Sequence, residues 1–189
     1  MMKFDSNKAR ILFTFLAFYG FVNSSFIHAQ NQFKQSKIEF NFILSDSTVA
    51  TYTSQAAFVG LYTNIEELYA QLNQNNPKTG NLKIDSLLGT LKFNFNSTLQ
   101  PPLSQILASQ NTGTVFQLVG TSEINNIKDQ ISAQISFVNL KNRGQTEDLK
   151  ADLSILCSSE NLKNPILKQA GIIAYNIQIL GANLNTSIK

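Results

Sequence analysis

Two pairs of neighbouring acidic residues are the first candidates for chemistry, because paired carboxylates can act as a general acid and a general base. Glu66 and Glu67 lie at the predicted start of a helix, where negative charge suits the helix dipole. Glu147 and Asp148 lie in a glycine-containing turn between two predicted strands. Both settings are typical of solvated surface, so we expect neither pair to be catalytic.

The sequence also contains few of the residues that act as nucleophiles or metal ligands. The sequence holds one cysteine, Cys157, and one histidine, His28. Ser-His-Asp and Cys-His sites both need a histidine, and the usual zinc sites need three or four Cys or His ligands. No GxSxG, GxGxxG or GxxxxGK[ST] string occurs. The sequence therefore predicts a protein that is not an enzyme and that has no metal site and no cofactor. Cys157 ends an alternating apolar stretch and is predicted to be a small buried core residue.

Residues 1–29 are predicted to be a secretory signal peptide. Three basic residues among the first ten precede an uncharged apolar run at 11–22, and the small residue Ala29 then offers cleavage before Gln30. The alternative is an uncleaved anchor, but the run is shorter than the ~20 residues that a membrane-spanning helix needs. We therefore expect export to the periplasm or the extracellular space, with no stable membrane span after cleavage.

The rest of the chain, 30–189, has the length of one domain. The whole sequence has 189 residues, a net charge of +3 and 14% charged residues. This weak, scattered positive charge does not favour a nucleic-acid partner. Composition leaves the oligomeric state open.

Six stretches alternate between apolar and polar residues, which is typical of half-buried strands. They lie at 37–44, 90–96, 114–120, 130–138, 148–157 and 171–180. Two less regular stretches, 48–59 and 183–188, bring the predicted total to about eight. Eight antiparallel strands in about 160 residues suit a closed up-and-down barrel or a β-sandwich. A barrel of this size is either filled by its own side chains or holds one small ligand.

One segment departs from the period of two. Apolar residues recur at helical spacing near 63–73, where Thr63 and Glu66 match a capping box and Pro77 follows. The members of this stripe are Ile65, Leu68, Tyr69 and Leu72. The pattern predicts one amphipathic helix that seals an end or a flank of the sheet. A second short helical turn is expected within 99–109.

The stretch at about 113–180 resembles the second half of the YceI-like family. Phe116 and Gly120 match that family's Phe-x-x-x-Gly strand. The family's next element is Leu-Thr-x-His-Gly-x-Thr, and it is matched in spacing by Leu140, Gly144 and Thr146.

The same element also shows where this chain departs from the family. Lys141 replaces the threonine, Arg143 stands at the histidine position, and Glu147 stands where a lysine is common. The resemblance implies a lipocalin-like antiparallel barrel, whose interior holds a long isoprenoid chain in some members. It transfers no catalytic residue to this chain.

An apolar small molecule, such as an isoprenoid or fatty chain, is the partner that this architecture favours. Its binding site would be lined by inward-facing aromatic residues of the alternating strands, namely Phe40, Phe93, Phe95, Phe116, Phe137 and Tyr175. Burial of apolar ligand surface would provide roughly 25 cal/mol per Å² before the costs of association. The alternative is a non-catalytic interaction or structural domain with a filled core, whose Asn/Gln/Ser/Thr-rich outer face meets another protein or a surface polymer.

Overall fold

A computed structural model describes residues 35–109, 113–138 and 149–187 of the chain. These residues form eight strands, which are β1 (Gln35–Leu44), β2 (Val49–Tyr62), β3 (Glu67–Asn75), β4 (Thr90–Thr98), β5 (Val115–Ile124), β6 (Ile127–Phe137), β7 (Lys150–Cys157) and β8 (Ile172–Ser187). They also form three short helices, α1 (Leu82–Leu87), α2 (Leu103–Ser109) and α3 (Pro165–Ala170).

The eight strands close into an antiparallel barrel, which confirms the predicted fold class. Each strand pairs with the next along the chain, and β1 closes the barrel by pairing with β8. Phe40 of β1, for example, lies opposite Tyr52 of β2 and Ile177 of β8. The last residues of β8 also pair in parallel with the end of β2, where Val59 lies opposite Leu184. This second pairing continues the barrel wall beyond the first residue of β1.

The predicted alternation decides which side chains face the interior. Ile38, Phe40 and Phe42 of β1 are completely buried, whereas Glu39 and Asn41 between them are half-buried and Lys37 before them is exposed. The same pattern of inward apolar and outward polar residues runs through β4, β6 and β7. Cys157, at the end of β7, is fully buried as predicted.

Residues 172–187 show where the local pattern is misleading. The stretches predicted as two strands, 171–180 and 183–188, fall together in the single strand β8 over 172–187. The alternation predicts that Ile173 faces inward, but Ile173 is 42% exposed and Ile172 is 1% exposed instead. The pairing with β1 skips Ile173, since Ile43 lies opposite Ala174 and Leu44 lies opposite Ile172. This extra residue on β8 reverses the alternation between Ile172 and Tyr175.

The predicted amphipathic helix near 63–73 is wrong. Residues 63–66 form a turn, and Glu66 has a φ of 54°, a left-handed value that does not continue a helix. The residues that follow form β3, whose inward side chains are Leu68, Ala70 and Leu72. Leu68 and Leu72 fit a helical period as well as a period of two, since they are four residues apart. The hydrogen-bond ladders to β2 and β4 decide between the two, because they satisfy the backbone of β3 on both sides.

The two ends of the barrel carry different structures. One end holds the hairpin between β5 and β6 together with α1 and α3, which pack against each other; we call it the α1/α3 end. The opposite end holds the 63–66 turn, α2 and the first residues of β1; we call it the α2 end. The short helical turn expected within 99–109 is α2.

Several predictions concern residues outside the described ranges. They are the signal peptide at 1–29, the acidic pair at 147–148 and the part of the family resemblance carried by 140–147. Among the helices that are described, none is long and apolar enough to cross a membrane.

Candidate functional site in the barrel interior

The structure brings most of the predicted aromatic lining into the barrel interior. Phe40, Phe93, Phe95, Phe137 and Tyr175 are completely buried, and Phe116 is half-buried against the same core. Each lies on the inward face of its strand, because alternation places every second residue there. The structure therefore places all six of these residues on the inward face of the barrel.

Phe40 lies at the centre of an aromatic cluster in the middle of the barrel. Its ring meets the edge of Phe93 at a centroid distance of 5.2 Å, and Phe42 stacks at 5.9 Å. Tyr52 of β2 lies 6.1 Å away. Phe42 and Tyr52 are not among the predicted lining residues, although Phe42 shares the inward face of β1 with Phe40. Such ring geometries stabilise the core beyond what burial of apolar surface alone provides.

Phe116 and Phe137 form a second aromatic pair at the α2 end. Their ring centroids are 6.2 Å apart in an edge-on arrangement. Leu103 and Ile106 of α2 are buried in the same hydrophobic core. The half-buried ring of Phe116 is the predicted lining residue that reaches nearest to the surface.

The interior around the central cluster is filled by side chains. Phe40, Phe42, Phe93 and Phe95 all have 0% exposure. A void large enough for water beside one of these rings would give that ring accessible surface. The rings therefore have no such void beside them, and a ligand at this depth would have to displace them.

A polar cluster lies inside the α1/α3 end, centred on Asp129, which is 1% exposed. Its Oδ1 accepts the backbone N–H of Lys163 at 2.5 Å and of Asn164 at 3.2 Å. Its Oδ2 accepts the Tyr175 hydroxyl at 3.2 Å, and that hydroxyl also hydrogen-bonds the hydroxyl of Ser122. This cluster joins β5, β6 and β8 to the segment before α3.

Asn164 extends the same connection into α3. Its Nδ2 donates to the carbonyl of Ile124 at 2.9 Å, and its Oδ1 caps α3 by accepting the N–H groups of Ile166 and Leu167. Because Asn164 is completely buried, these bonds are shielded from water. The α1/α3 end is thus fixed by hydrogen bonds as well as by apolar packing.

Burial also sets the acid–base behaviour of this end. Burial raises the pKa of the Cys157 thiol to about 11, and the nearby Asp129 carboxylate acts in the same direction. Burial likewise raises the pKa of Tyr175 well above its ordinary value, although the bond from Ser122 opposes this shift. Both shifts favour the protonated form, which is the less nucleophilic one.

The α2 end has a different polar lining. Ser36 and Ser97 point into the barrel there and are buried. The Ser97 hydroxyl donates to the carbonyl of Val119 at 3.1 Å. The Ser36 hydroxyl has no hydrogen-bond partner within the described part of the chain. Sequence reasoning missed Ser36, because the stretch predicted as the first strand begins one residue later.

Glu66, predicted to cap its own helix, is attached to α2 instead. Its Oε2 accepts the N–H of Leu103 at 2.9 Å, and its backbone carbonyl accepts the N–H of Leu99 at 2.8 Å. The carboxylate therefore satisfies an exposed donor at the first turn of α2. No local pattern could reveal this bond, since 37 residues separate its partners.

An open groove of about 210 Å³ lies on the outer face of strands β5 to β8. Amide and hydroxyl side chains dominate its lining, among them Gln134, Ser154 and Gln178. Val115 and Leu180 flank it with exposed apolar surface. Asp152 also lines it and accepts the N–H of Gly181 at 2.6 Å. The groove is separate from the aromatic interior.

Comparison with solved structures supports the fold. The chain is similar to a polyisoprenoid binding domain from Saccharophagus degradans implicated in plant cell wall breakdown, with a TM-score of 0.51 and 10% sequence identity. The match covers 78% of this chain and 92% of the other. No family model and no curated protein matches the sequence. At this identity the likeness shows a common barrel fold, which is the architecture that the YceI-like resemblance implied.

Proposed function

We propose that the protein is an exported, non-catalytic binding protein of the YceI-like kind, which holds an elongated apolar molecule such as an isoprenoid or fatty chain inside its barrel. The observation that carries this proposal is a closed eight-stranded barrel whose inward face is apolar over most of its length. The fold likeness to a polyisoprenoid-binding domain supports the same interpretation.

The ligand enters at the α2 end. The opposite end is held by the buried bonds of Asp129 and Asn164, which a ligand would have to break without replacing. At the α2 end the corresponding contact is the bond from Leu103 to the carboxylate of Glu66, and Phe116 is already partly exposed. Because the central rings are tightly packed, binding requires them to shift, and this cost reduces the affinity gained from apolar burial.

A second candidate is an interaction or structural domain with a filled core. Two observations favour it: the zero exposure of the central rings, including Phe40 and Phe93, and the open groove on the outer face. In this case the aromatic residues serve stability alone, and the groove or another part of the outer face contacts a partner.

Native mass spectrometry combined with lipid extraction separates the two candidates. The exported protein should carry a co-purifying apolar molecule, and delipidated protein should bind long-chain probes. Protein that carries no such molecule and has no measurable affinity for long-chain lipids would refute the carrier function and leave the interaction domain.

Export itself is tested by intact mass. The proposal requires the exported species to begin at Gln30, after removal of residues 1–29. A secreted species that keeps those residues contradicts this part of the proposal, whatever the ligand assay shows.

A further inference from the structure

We propose that Ser36 binds the oxygen-bearing end of the ligand, and that this ligand is an elongated apolar molecule with an uncharged oxygen, such as a long-chain alcohol. This inference rests on the proposed carrier function. It begins from the buried Ser36 hydroxyl, which has no hydrogen-bond partner among the described residues. A buried hydroxyl is normally paired, so an unpaired one needs an explanation.

The position of Ser36 gives the ligand a direction. On the inward face of β1, Ser36 is followed towards the α1/α3 end by Ile38, Phe40 and Phe42. The surface thus changes from a hydroxyl at the α2 end to aliphatic and aromatic groups deeper inside. The seven residues from Ser36 to Phe42 span roughly 20 Å. A chain with one polar end would match this order with its oxygen near Ser36 and its tail towards Phe40.

Ser36 differs from the other inward hydroxyls because they already have partners. Ser97, at the same end, donates to the carbonyl of Val119, and Ser54 accepts the N–H of Ala56. Ser122, at the other end, is bonded to Tyr175. Among the buried hydroxyl oxygens of the described barrel, that of Ser36 is therefore the one left without a hydrogen-bond partner.

The surroundings favour an uncharged oxygen. The buried polar residues of the described chain are serines, Asn164 and Asp129, and none is cationic. A carboxylate or phosphate at this depth would lack a compensating positive charge, and such burial is costly. The oxygen of an alcohol can accept the hydrogen bond that the Ser36 hydroxyl donates.

The test compares 1-hexadecanol with hexadecane in displacement of N-phenyl-1-naphthylamine from the full-length mature protein. Wild type should bind the alcohol more tightly. Ser36→Ala should lose roughly threefold to tenfold in alcohol affinity, which is the usual net value of one hydrogen bond, and should keep its affinity for hexadecane. Ser97→Ala is the matched control, and it should keep the preference for the alcohol. Hexadecanoate should bind more weakly than hexadecanol.

Thermal unfolding without ligand provides a second readout. Ser36→Ala should melt at a higher temperature than wild type, because it removes an unpaired buried hydroxyl. A lower melting temperature, or an unchanged preference for hexadecanol, would overturn the role of Ser36 while leaving the carrier function intact. Wild-type protein that binds neither chain would overturn both.

Discussion

The hydroxyl of Tyr175 donates to the carboxylate of Asp129 across 3.2 Å inside the α1/α3 end of the barrel. The two residues are 46 positions apart in sequence, and neither has appreciable exposed surface. The other oxygen of Asp129 accepts two backbone N–H groups from the segment before α3. One buried carboxylate thus joins two strands and a loop, and this end of the barrel depends on it.

Replacing Asp129 tests that dependence. Asp129→Ala leaves the N–H groups of Lys163 and Asn164 and the Tyr175 hydroxyl without their acceptor. Each lost bond costs about 1–3 kcal/mol, so we expect a loss of several kcal/mol in urea unfolding. Asp129→Asn keeps one acceptor oxygen, so its loss of unfolding free energy should be clearly smaller. Equal, small losses of unfolding free energy in both variants would show that this network does not stabilise the α1/α3 end.

Gly120, which matches the family resemblance, has a steric role. A Cβ at this position would lie 2.4 Å from the backbone oxygen of Asn96 on β4, so a side chain would push the two strands apart. Gly120→Ala should cost about 1–3 kcal/mol or more in chemical denaturation.

Gly89 provides the matched control for this substitution. A Cβ there meets nothing within 4 Å. Gly89→Ala should therefore be neutral or slightly stabilising, because alanine restricts the unfolded chain more than glycine does. Similar effects of the two substitutions would refute the steric explanation.

The two aromatic groups should respond differently to truncation. Phe40→Ala removes a fully buried ring and should cost roughly 3–5 kcal/mol of unfolding free energy. Phe116→Ala removes a half-buried ring at the proposed entrance and should cost less. If the barrel carries a ligand, Phe116→Ala should weaken binding of a long-chain probe while most of the stability remains. A variant that loses stability without changing probe affinity supports the filled-core domain instead.

Alkaline pH should destabilise the protein through Cys157. Its pKa is raised from 9.0 to about 11 in the folded state, so between these values the unfolded chain releases a proton that the native state keeps. Stability therefore falls as pH rises from about 9 to 11, and Tyr175 acts in the same direction.

The Cys157→Ala variant isolates the contribution of the thiol. Its unfolding free energy should decline less steeply over this pH range than that of wild type. Native Cys157 should also react slowly with thiol reagents at neutral pH, and unfolded protein should react fast. If the unfolding free energies of wild type and variant fell equally with pH, the pH dependence could not be assigned to Cys157.

Local alternation is sufficient to predict much of the barrel. The inward positions of β1, β4, β6 and β7 follow directly from their period of two, because each strand places successive side chains on opposite faces. The same rule places Phe40, Phe93, Phe95 and Phe137 on the inward face from the order of residues alone. The sequence by itself thus determined the class of fold and most of the apolar lining.

Only the tertiary structure decided the features that depend on pairing between distant segments of the chain. The segment at 67–75 fits two periods, and its neighbours β2 and β4 made it a strand. The bonds from Leu103 to Glu66 and from Tyr175 to Asp129 join residues far apart in the chain, and the missing partner of Ser36 is visible only once the barrel is closed. Propensity and periodicity describe each segment alone, whereas register, closure and hydrogen-bond partners depend on which segments meet.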